Sequence, residues 1–114
     1  MVDIIIPNYN GRLLLEECLT AIERQSYRDY EVTVVDNDSQ DCSADFLMTA
    51  FPKVNVCIQK QNVGFARACN VGIHSTRRPL VVLLNNDVIL EKDWLYQMNV
   101  AAEKYRHIDT FACK

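Results

Sequence analysis

Leu80–Leu84, LVVLL, is an unbroken apolar run that stops abruptly at Asn85-Asn86-Asp87 and is followed by the apolar Val88-Ile89-Leu90. Leucine and β-branched valine without alternation give a strand buried on both faces, the state of a strand in a parallel sheet with helices above and below. The break at Asn85 presents three polar side chains at the carboxyl end of that strand, where ligands bind in open α/β sheets. One carboxylate flanked by two amides is a hard oxygen-donor set. It suits Mg²⁺ or Mn²⁺ with most of the coordination shell left to water and phosphate. A strand-end turn gives the same composition, since Asn and Asp favour turns.

The rest of the chain supplies the layers that such a strand needs. Val2–Ile6 is a short apolar run, expected to close at Pro7 because proline cannot donate to a ladder. Asn10, in the loop Pro7–Gly11, is placed to cap a helix from about Arg12 to Arg24. Leu15, Leu19 and Ile22 recur there at i, i+4 and i+7 and make one apolar face. Glu31–Val35 is the second strand and ends in the polar cluster Asp36–Ser39. A short helix from about Cys42 to Phe51, stopped by Pro52, leads to a third strand at Val54–Ile58 and the loop Lys60–Gly64. Phe65–Ser75 reads as an Ala-rich helix whose N-terminal amides face the same end of the sheet. After the fourth strand, Glu91–Arg106 is the last helix, with Trp94 or Leu95, Met98, Ala102 and Tyr105 as its inward stripe. His107–Lys114 begins like a fifth strand.

Strand and helix alternate throughout, which argues a Rossmann-like, three-layer parallel sheet with right-handed crossovers. The expected strand order is 3-2-1-4, with the switch point between strands 1 and 4. All four strand-end loops are polar, and in a parallel sheet they share one edge. That convergence is more specific than any one loop. The GxGxxG fingerprint and the phosphate loop GxxxxGK[ST] are both absent, which argues against a dinucleotide oxidoreductase and a P-loop NTPase. Without a Gly-rich loop, a metal on Asp87 is the natural way to neutralise a diphosphate.

Composition narrows the classes further. With 114 residues the chain has room for one small domain. A net charge of −3 and no basic run beyond Arg77-Arg78 give nucleic acid no electrostatic footprint. No apolar segment reaches the roughly 20 residues that span a bilayer, and Met1 leads into a strand without a basic leader. The five cysteines are odd in number and irregularly spaced, and none forms a CxxC pair. They read as reduced, mostly buried thiols rather than a zinc site, and with the missing leader they give a cytoplasmic location, extending to a peripheral place at the inner membrane face. His74 and His107 lack acidic or cysteine partners at ligand spacing and read as surface or helix-end residues.

The stretches IIIPNYNG, VVDNDSQD, QNVGFARACNVGI and LLNNDVILEKDWL, in that order and spacing, resemble the successive motifs of family 2 glycosyltransferases with the GT-A fold. The NVGFARACN and LLNND forms are most similar to the branch containing bacterial rhamnosyltransferases and related cell-surface polysaccharide enzymes. The resemblance implies transfer of a sugar, with inversion, from a nucleoside diphosphate donor to a saccharide or lipid-linked acceptor. It implies that Pro7, Asn8 and Tyr9 cradle the base, with Asp36 and Asn37 beside them. Asn37 stands where many relatives carry a second, base-reading acid, so uracil specificity does not follow. Asn62, Gly64, Arg67 and Asn70 match the stretch bordering the nucleotide and diphosphate. Asp87 matches the metal ligand of the DxD motif, and Asn86 the position that approaches ribose or metal. The whole chain, 1–114, then corresponds to the nucleotide-sugar-binding part of such a domain. The catalytic base and most of the acceptor site are expected outside it, since a full domain needs roughly 200 residues.

Each assignment has a plainer counterpart. Asp36 and Gly64 can serve only the turns they sit in, Tyr9 can pack, and Arg67 can be a solvated charge. For the chain as a whole the alternative is a nucleotide-binding or interaction module without turnover. A receiver-like signalling domain shares the α/β order, but it needs an acidic pair where Pro7-Asn8-Tyr9 stands. The apolar fourth strand, left at a sheet edge, is expected to pair with Ile108–Cys113 or with a second copy of the chain.

Overall fold

The computed structural model describes residues 1–113. Its elements, in chain order, are β1 (Val2–Asn8), α1 (Arg12–Glu23), β2 (Tyr30–Asp36), α2 (Ser43–Ala50), β3 (Asn55–Ile58), α3 (Phe65–Ser75), β4 (Leu80–Leu83) and α4 (Trp94–Lys104). All strand pairs are parallel and the sheet order is β3-β2-β1-β4. This is the expected order, with the reversal between β1 and β4 on which open α/β sites are built. The first two crossovers run one way from β1 and the third runs back past it. Right-handedness therefore puts α1 and α2 on one face and α3 on the other.

Side-chain alternation sorts the core in the same way. Ile4 and Ile6 of β1 and Val32 and Val34 of β2 meet Leu15, Leu19 and Ile22 of α1, Leu47 of α2 and Leu95 at the start of α4. On the opposite face Ile5 and Val35 meet Ala68 of α3. Gly72 lets α3 lie close to this second face. A Cβ there would run into Ile5 Cγ2 and press on Ile5 Cβ and Val35 Cγ2 at 3.3 Å. Gln25 joins α1 to α4: its Nε2 donates to Glu91 O at 2.7 Å, and its Oε1 accepts from Leu95 N at 2.9 Å.

The secondary-structure elements depart from the sequence expectations in five places. β1 does not stop at Pro7 but continues to Asn8. Val2 N and Asn8 O bond toward the β2 side and Ile5 O accepts from Leu84 N of the β4 side, so alternation turns the missing N–H of Pro7 toward β4. The β4 pairing has ended by Ile5↔Leu83, so no ladder bond is lost. Asn10 does not cap α1: Gly11 is the N-cap residue, and Asn10, at φ 51°, accepts instead from Gln40 N at 2.7 Å. The run Leu80–Leu84 is not buried on both faces. β4 is an edge strand and Leu83 is 50% exposed, while β1 is the strand buried throughout.

The other two departures concern α4 and the segment after it. α4 begins only at Trp94, after a turn closed by Trp94 N and Glu91 O, and Tyr105 lies beyond its end and is exposed rather than part of the inward stripe. Asp109–Cys113 forms no strand. It lies beside β4 and α4 through side chains, across a cavity of about 630 Å³ also lined by Val82, Trp94 and Met98. Lys114 lies outside the described residues. The thiols are unpaired among the described residues, but only Cys18 and Cys69 are buried; Cys42 and Cys113 are exposed.

Asp41 ties the starts of two helices. It accepts from Arg12 N at 3.0 Å, from Ser43 N at 3.1 Å and from Ser43 Oγ. Burial pushes its carboxyl up, but these hydrogen bonds together prevail and hold it below its ordinary 3.8. A carboxyl lowered in the folded state stabilises it above the ordinary value and loses that effect as pH falls below it. Urea midpoints of Asp41→Asn should therefore fall less steeply than wild type as pH drops through and below 3.8. Gly72→Ala should destabilise the fold. The better helix propensity of Ala returns about 1 kcal/mol, whereas forcing a methyl into packed side chains costs about 1–3 kcal/mol. Equilibrium urea unfolding should show a net loss.

Candidate donor-binding site

The parallel register sets the site. Asn8 pairs with Asp36 across β1 and β2, so both side chains project to the α1 face at the carboxyl edge. There Asn8 Nδ2 donates to Asp36 Oδ1 at 2.9 Å. Ser39 donates to the same carboxylate twice, from Oγ at 2.6 Å and from N at 3.1 Å. Across the other side of β1, Asn86 Nδ2 donates to Asn8 Oδ1 at 2.9 Å. A polar chain Ser39–Asp36–Asn8–Asn86, buried at Asp36 and Asn8 and half-buried at its two ends, thus crosses the ends of β2, β1 and β4. Gly11 sits over it, where a Cβ would run into Asn86 Nδ2 and come within 2.6 Å of Asn8 Oδ1.

The next residue in the second loop serves the opposite face. Asn37, 4% exposed, donates from Nδ2 to Gly64 O at 3.3 Å and accepts from Val63 N at 3.5 Å. It anchors the loop that starts α3. Gly64 caps α3 at φ +84°, a left-handed value that a side chain resists, and its N–H donates to Asn62 Oδ1 at 2.9 Å. The first amides of α3 are thereby held at the same edge as Asn37, a position that suits an anion.

The four loops enclose an open cavity of about 420 Å³. Pro7, Asn8, Tyr9, Asn37, Asn62, Gly64, Asn86 and Asp87, all singled out in the sequence, line it. Asp36, Arg67 and Asn70 do not. Asp36 faces a neighbouring recess with Asp38 and Cys42, and Arg67 and Asn70 are exposed on α3. Two further residues line the cavity, Asn85 and Phe65. Phe65 is 60% exposed and Tyr9 51%, so two aromatic side chains stand at its rim. The available signal for Phe65 was an aromatic residue immediately after a helix-starting glycine. A larger groove of about 720 Å³, between α1 and the residues after Asp87, mixes Glu16 and Glu17 with Arg24 and Lys92 and gathers no convergent polar set.

Among the described residues Asp87 is the one carboxylate on the cavity wall, and it is exposed. Among the described residues no three His, Cys, Asp or Glu side chains converge as a closed metal cage. An open site of Asp87 with the Asn85 and Asn86 amide oxygens still fits a hard divalent cation that keeps waters and phosphate oxygens as ligands. Beneath it Cys18, fully buried on α1, directs its thiol at Asn85 O at 3.9 Å. Burial, and then the nearby Asp87 charge, push that thiol up to about 11. Cys18 is therefore a neutral packing group, not a nucleophile.

Comparison with known proteins agrees with this geometry. Residues 3–112 match the family model described as glycosyl transferase family 2. The glycosyltransferase AglE of Haloferax volcanii is 33% identical over 99 residues, covering 82% of this chain and 33% of AglE. The glycosyltransferase GlyG of Streptococcus pneumoniae is 29% identical over 98 residues, covering 83% of this chain and 33% of GlyG. The chain thus spans about a third of the length of these curated relatives. In fold it is similar to S. aureus TarS in complex with UDP, with a TM-score of 0.83 at 21% identity, over 92% of this chain and 32% of that one. It is also similar to a mannosyltransferase of Pyrobaculum calidifontis in complex with GDP-Man and Mn²⁺, with a TM-score of 0.70 at 29% identity, over 75% and 27% of the two chains. A parallel sheet in the order 3-2-1-4, polar loops gathered at its switch point and a family match over nearly the whole length lead to one conclusion: the chain belongs to glycosyl transferase family 2.

Proposed function

We propose that this chain is the donor-binding part of an inverting glycosyltransferase, which takes a nucleoside diphosphate sugar together with Mg²⁺ or Mn²⁺. The observation that carries the reading is the cavity itself. A helix N-terminus, two rim aromatics, a floor of amides and a single carboxylate meet at the switch point of the sheet. Tyr9 and Phe65 offer apolar faces to a base, Asn37 and the start of α3 stand toward the nucleotide, and Asp87 with Asn86 holds the cation. The metal, when bound, stabilises the departing diphosphate as a Lewis acid. Arg67, exposed one turn into α3, is a second positive charge for that diphosphate once its side chain swings toward the cavity. Asn70 follows it on the same exposed face, and Asp36 serves the donor through the loops it holds.

The donor is read as carrying a hexosyl or rhamnosyl unit, and the acceptor as a saccharide or lipid-linked chain in cell-surface polysaccharide synthesis on the cytoplasmic side. Among the described residues no carboxylate other than Asp87 lines the cavity, so the base that deprotonates the acceptor hydroxyl is assigned to none of them. That same observation favours the second reading, nucleotide binding without turnover by this chain on its own.

Calorimetry with UDP and with GDP, each with and without Mn²⁺, tests the site. Mn²⁺ should tighten wild-type binding about tenfold or more, equivalent to about 1.4 kcal/mol. Asp87→Ala should abolish that gain with little change in unfolding midpoint, because an exposed strand-end Asp packs against little. Equal affinities in all combinations would leave LLNND as a turn only. A second expectation concerns β4, whose outer edge has no strand partner among the described residues and exposes Leu83. The isolated chain should dimerise through it. Light scattering showing a monomer at high concentration would reject that.

A further inference from the structure

We propose that Asn8 is a positioning residue that fixes which end of the Asn86 amide faces the cavity, so that Asn86 presents an oxygen beside the Asp87 carboxylate. What that oxygen meets rests on the donor-site reading above; the orientation itself does not.

The inference follows from donor and acceptor counting. A carboxylate only accepts hydrogen bonds. Asp36 receives Ser39 Oγ–H and Asn8 Nδ2–H on Oδ1 and Ser39 N–H on Oδ2. Turning the Asn8 amide round would set its carbonyl oxygen against that carboxylate. Asn8 is 1% exposed, so no solvent would relieve the conflict. Asn8 therefore has one tolerable orientation, with Nδ2 toward β2 and Oδ1 toward β4. Asn8 Oδ1 then needs a donor, and Asn86 Nδ2 supplies it at 2.9 Å. A reversed Asn86 would bring two carbonyl oxygens together. The orientation thus passes from the charge on Asp36, through Asn8, to Asn86, across three adjacent strands. Gly11 leaves room for this pair, since a Cβ there would strike both partners.

The consequence lies at the far end of the chain. Asn86 is half-buried and lines the cavity with Asp87, and among the described residues its Oδ1 has no hydrogen-bond partner. Held this way it offers a hard, neutral oxygen, suited to Mg²⁺ or Mn²⁺ or to a ribose hydroxyl. Reversed, it would offer two N–H donors, which repel a cation. One carboxylate and one amide oxygen can act together only while Asn8 keeps the amide oxygen-outward. A carboxylate at position 86 would lose the donor that Asn8 Oδ1 requires.

The test compares wild type, Asn8→Leu and the double variant Asn8→Asp with Asp36→Asn. The double variant moves the carboxylate onto β1, where it can accept from both neighbouring amides and so preserves the direction of the chain. One readout needs no ligand: hydrogen exchange of the Asn86 side-chain NH₂, followed by NMR. Exchange should be slowed about tenfold or more by its hydrogen bond in wild type and in the double variant, and lie near the free rate in Asn8→Leu. The second readout is the ratio of UDP or GDP affinity with Mn²⁺ to that without. A general loss of stability weakens both affinities, whereas loss of the oxygen-outward amide lowers their ratio. The ratio should fall about tenfold in Asn8→Leu and return to within about threefold in the double variant. Free-rate exchange of Asn86 in wild type, or Asn8→Leu matching wild type in both readouts, would overturn the proposal. If Asn8→Leu does not fold, the double variant decides: a protected Asn86 supports the proposal and an unprotected one overturns it. If Asn86 is protected as expected but wild type binds neither nucleotide, the donor-site reading fails and the orientation stands.

Discussion

The site depends on one buried amide. Asn8 stands at the end of the central strand, and each end of its side chain is committed to a neighbour: Nδ2 to Asp36 on β2, and Oδ1 to Asn86 after β4. A residue on an edge strand could reach only one neighbour. Occupying the middle of the order β3-β2-β1-β4 is what allows a single side chain to couple both halves of the edge. The bond to Asp36 is buried and the one to Asn86 partly so, and breaking either would leave a desolvated polar group on Asn8 costing about 1–3 kcal/mol. These bonds tie the loops together without a ligand, so that on the proposed reading binding would not need to supply all the energy to order them.

The division of labour between Asp36 and Asn37 follows from the same register. Adjacent residues on a strand face opposite ways. Asp36 therefore joins the network beneath the α1 face, while Asn37 reaches over to Val63 and Gly64 at the start of α3. The two residues look alike in sequence, polar neighbours after a strand. Their roles differ because one step along the backbone exchanges one helix layer for the other. An acid at Asn37 could not donate to Gly64 O. Asparagine therefore gives this chain a tie between two loops that an acid at that position would lack.

The fold was legible because its signals are local and repeated. Four apolar runs alternating with helical periodicity leave little choice but a parallel sheet, and chirality then fixes which helix lies on which face. What was not legible depended on neighbours. The run Leu80–Leu84 reads as a strand covered on both faces, yet Leu83 stays half exposed, although the edge position of this strand follows from the expected order. Pro7 reads as a strand end, yet its missing donor falls where β4 has already finished. Asn10 reads as a cap, yet the backbone turns it toward Gln40. The same limit applies to the site. Residues at strand ends were placed correctly at one edge because strand direction alone puts them there. Arg67 and Asn70 lie on α3, where rotation about the helix axis decides what they face, and they are turned to solvent. Phe65 precedes them at the helix start and does reach the cavity.

The sparse charge of the cavity has a physical logic. Two adjacent carboxylates repel each other and need a cation to relieve them, so such a site is strained when empty of metal. Here an amide stands beside one carboxylate, and the Asp36 charge is sequestered beneath, spent on Ser39 and Asn8. The edge can then stay ordered without a cation, at the cost of a weaker intrinsic pull on one. On the proposed reading, a diphosphate that brings its own oxygens would make up that difference, since a small divalent cation keeps several ligand positions for water and phosphate. Cation and nucleotide would then favour each other's binding, each supplying what the protein wall lacks. That mutual dependence would follow from having a single carboxylate at the end of β4.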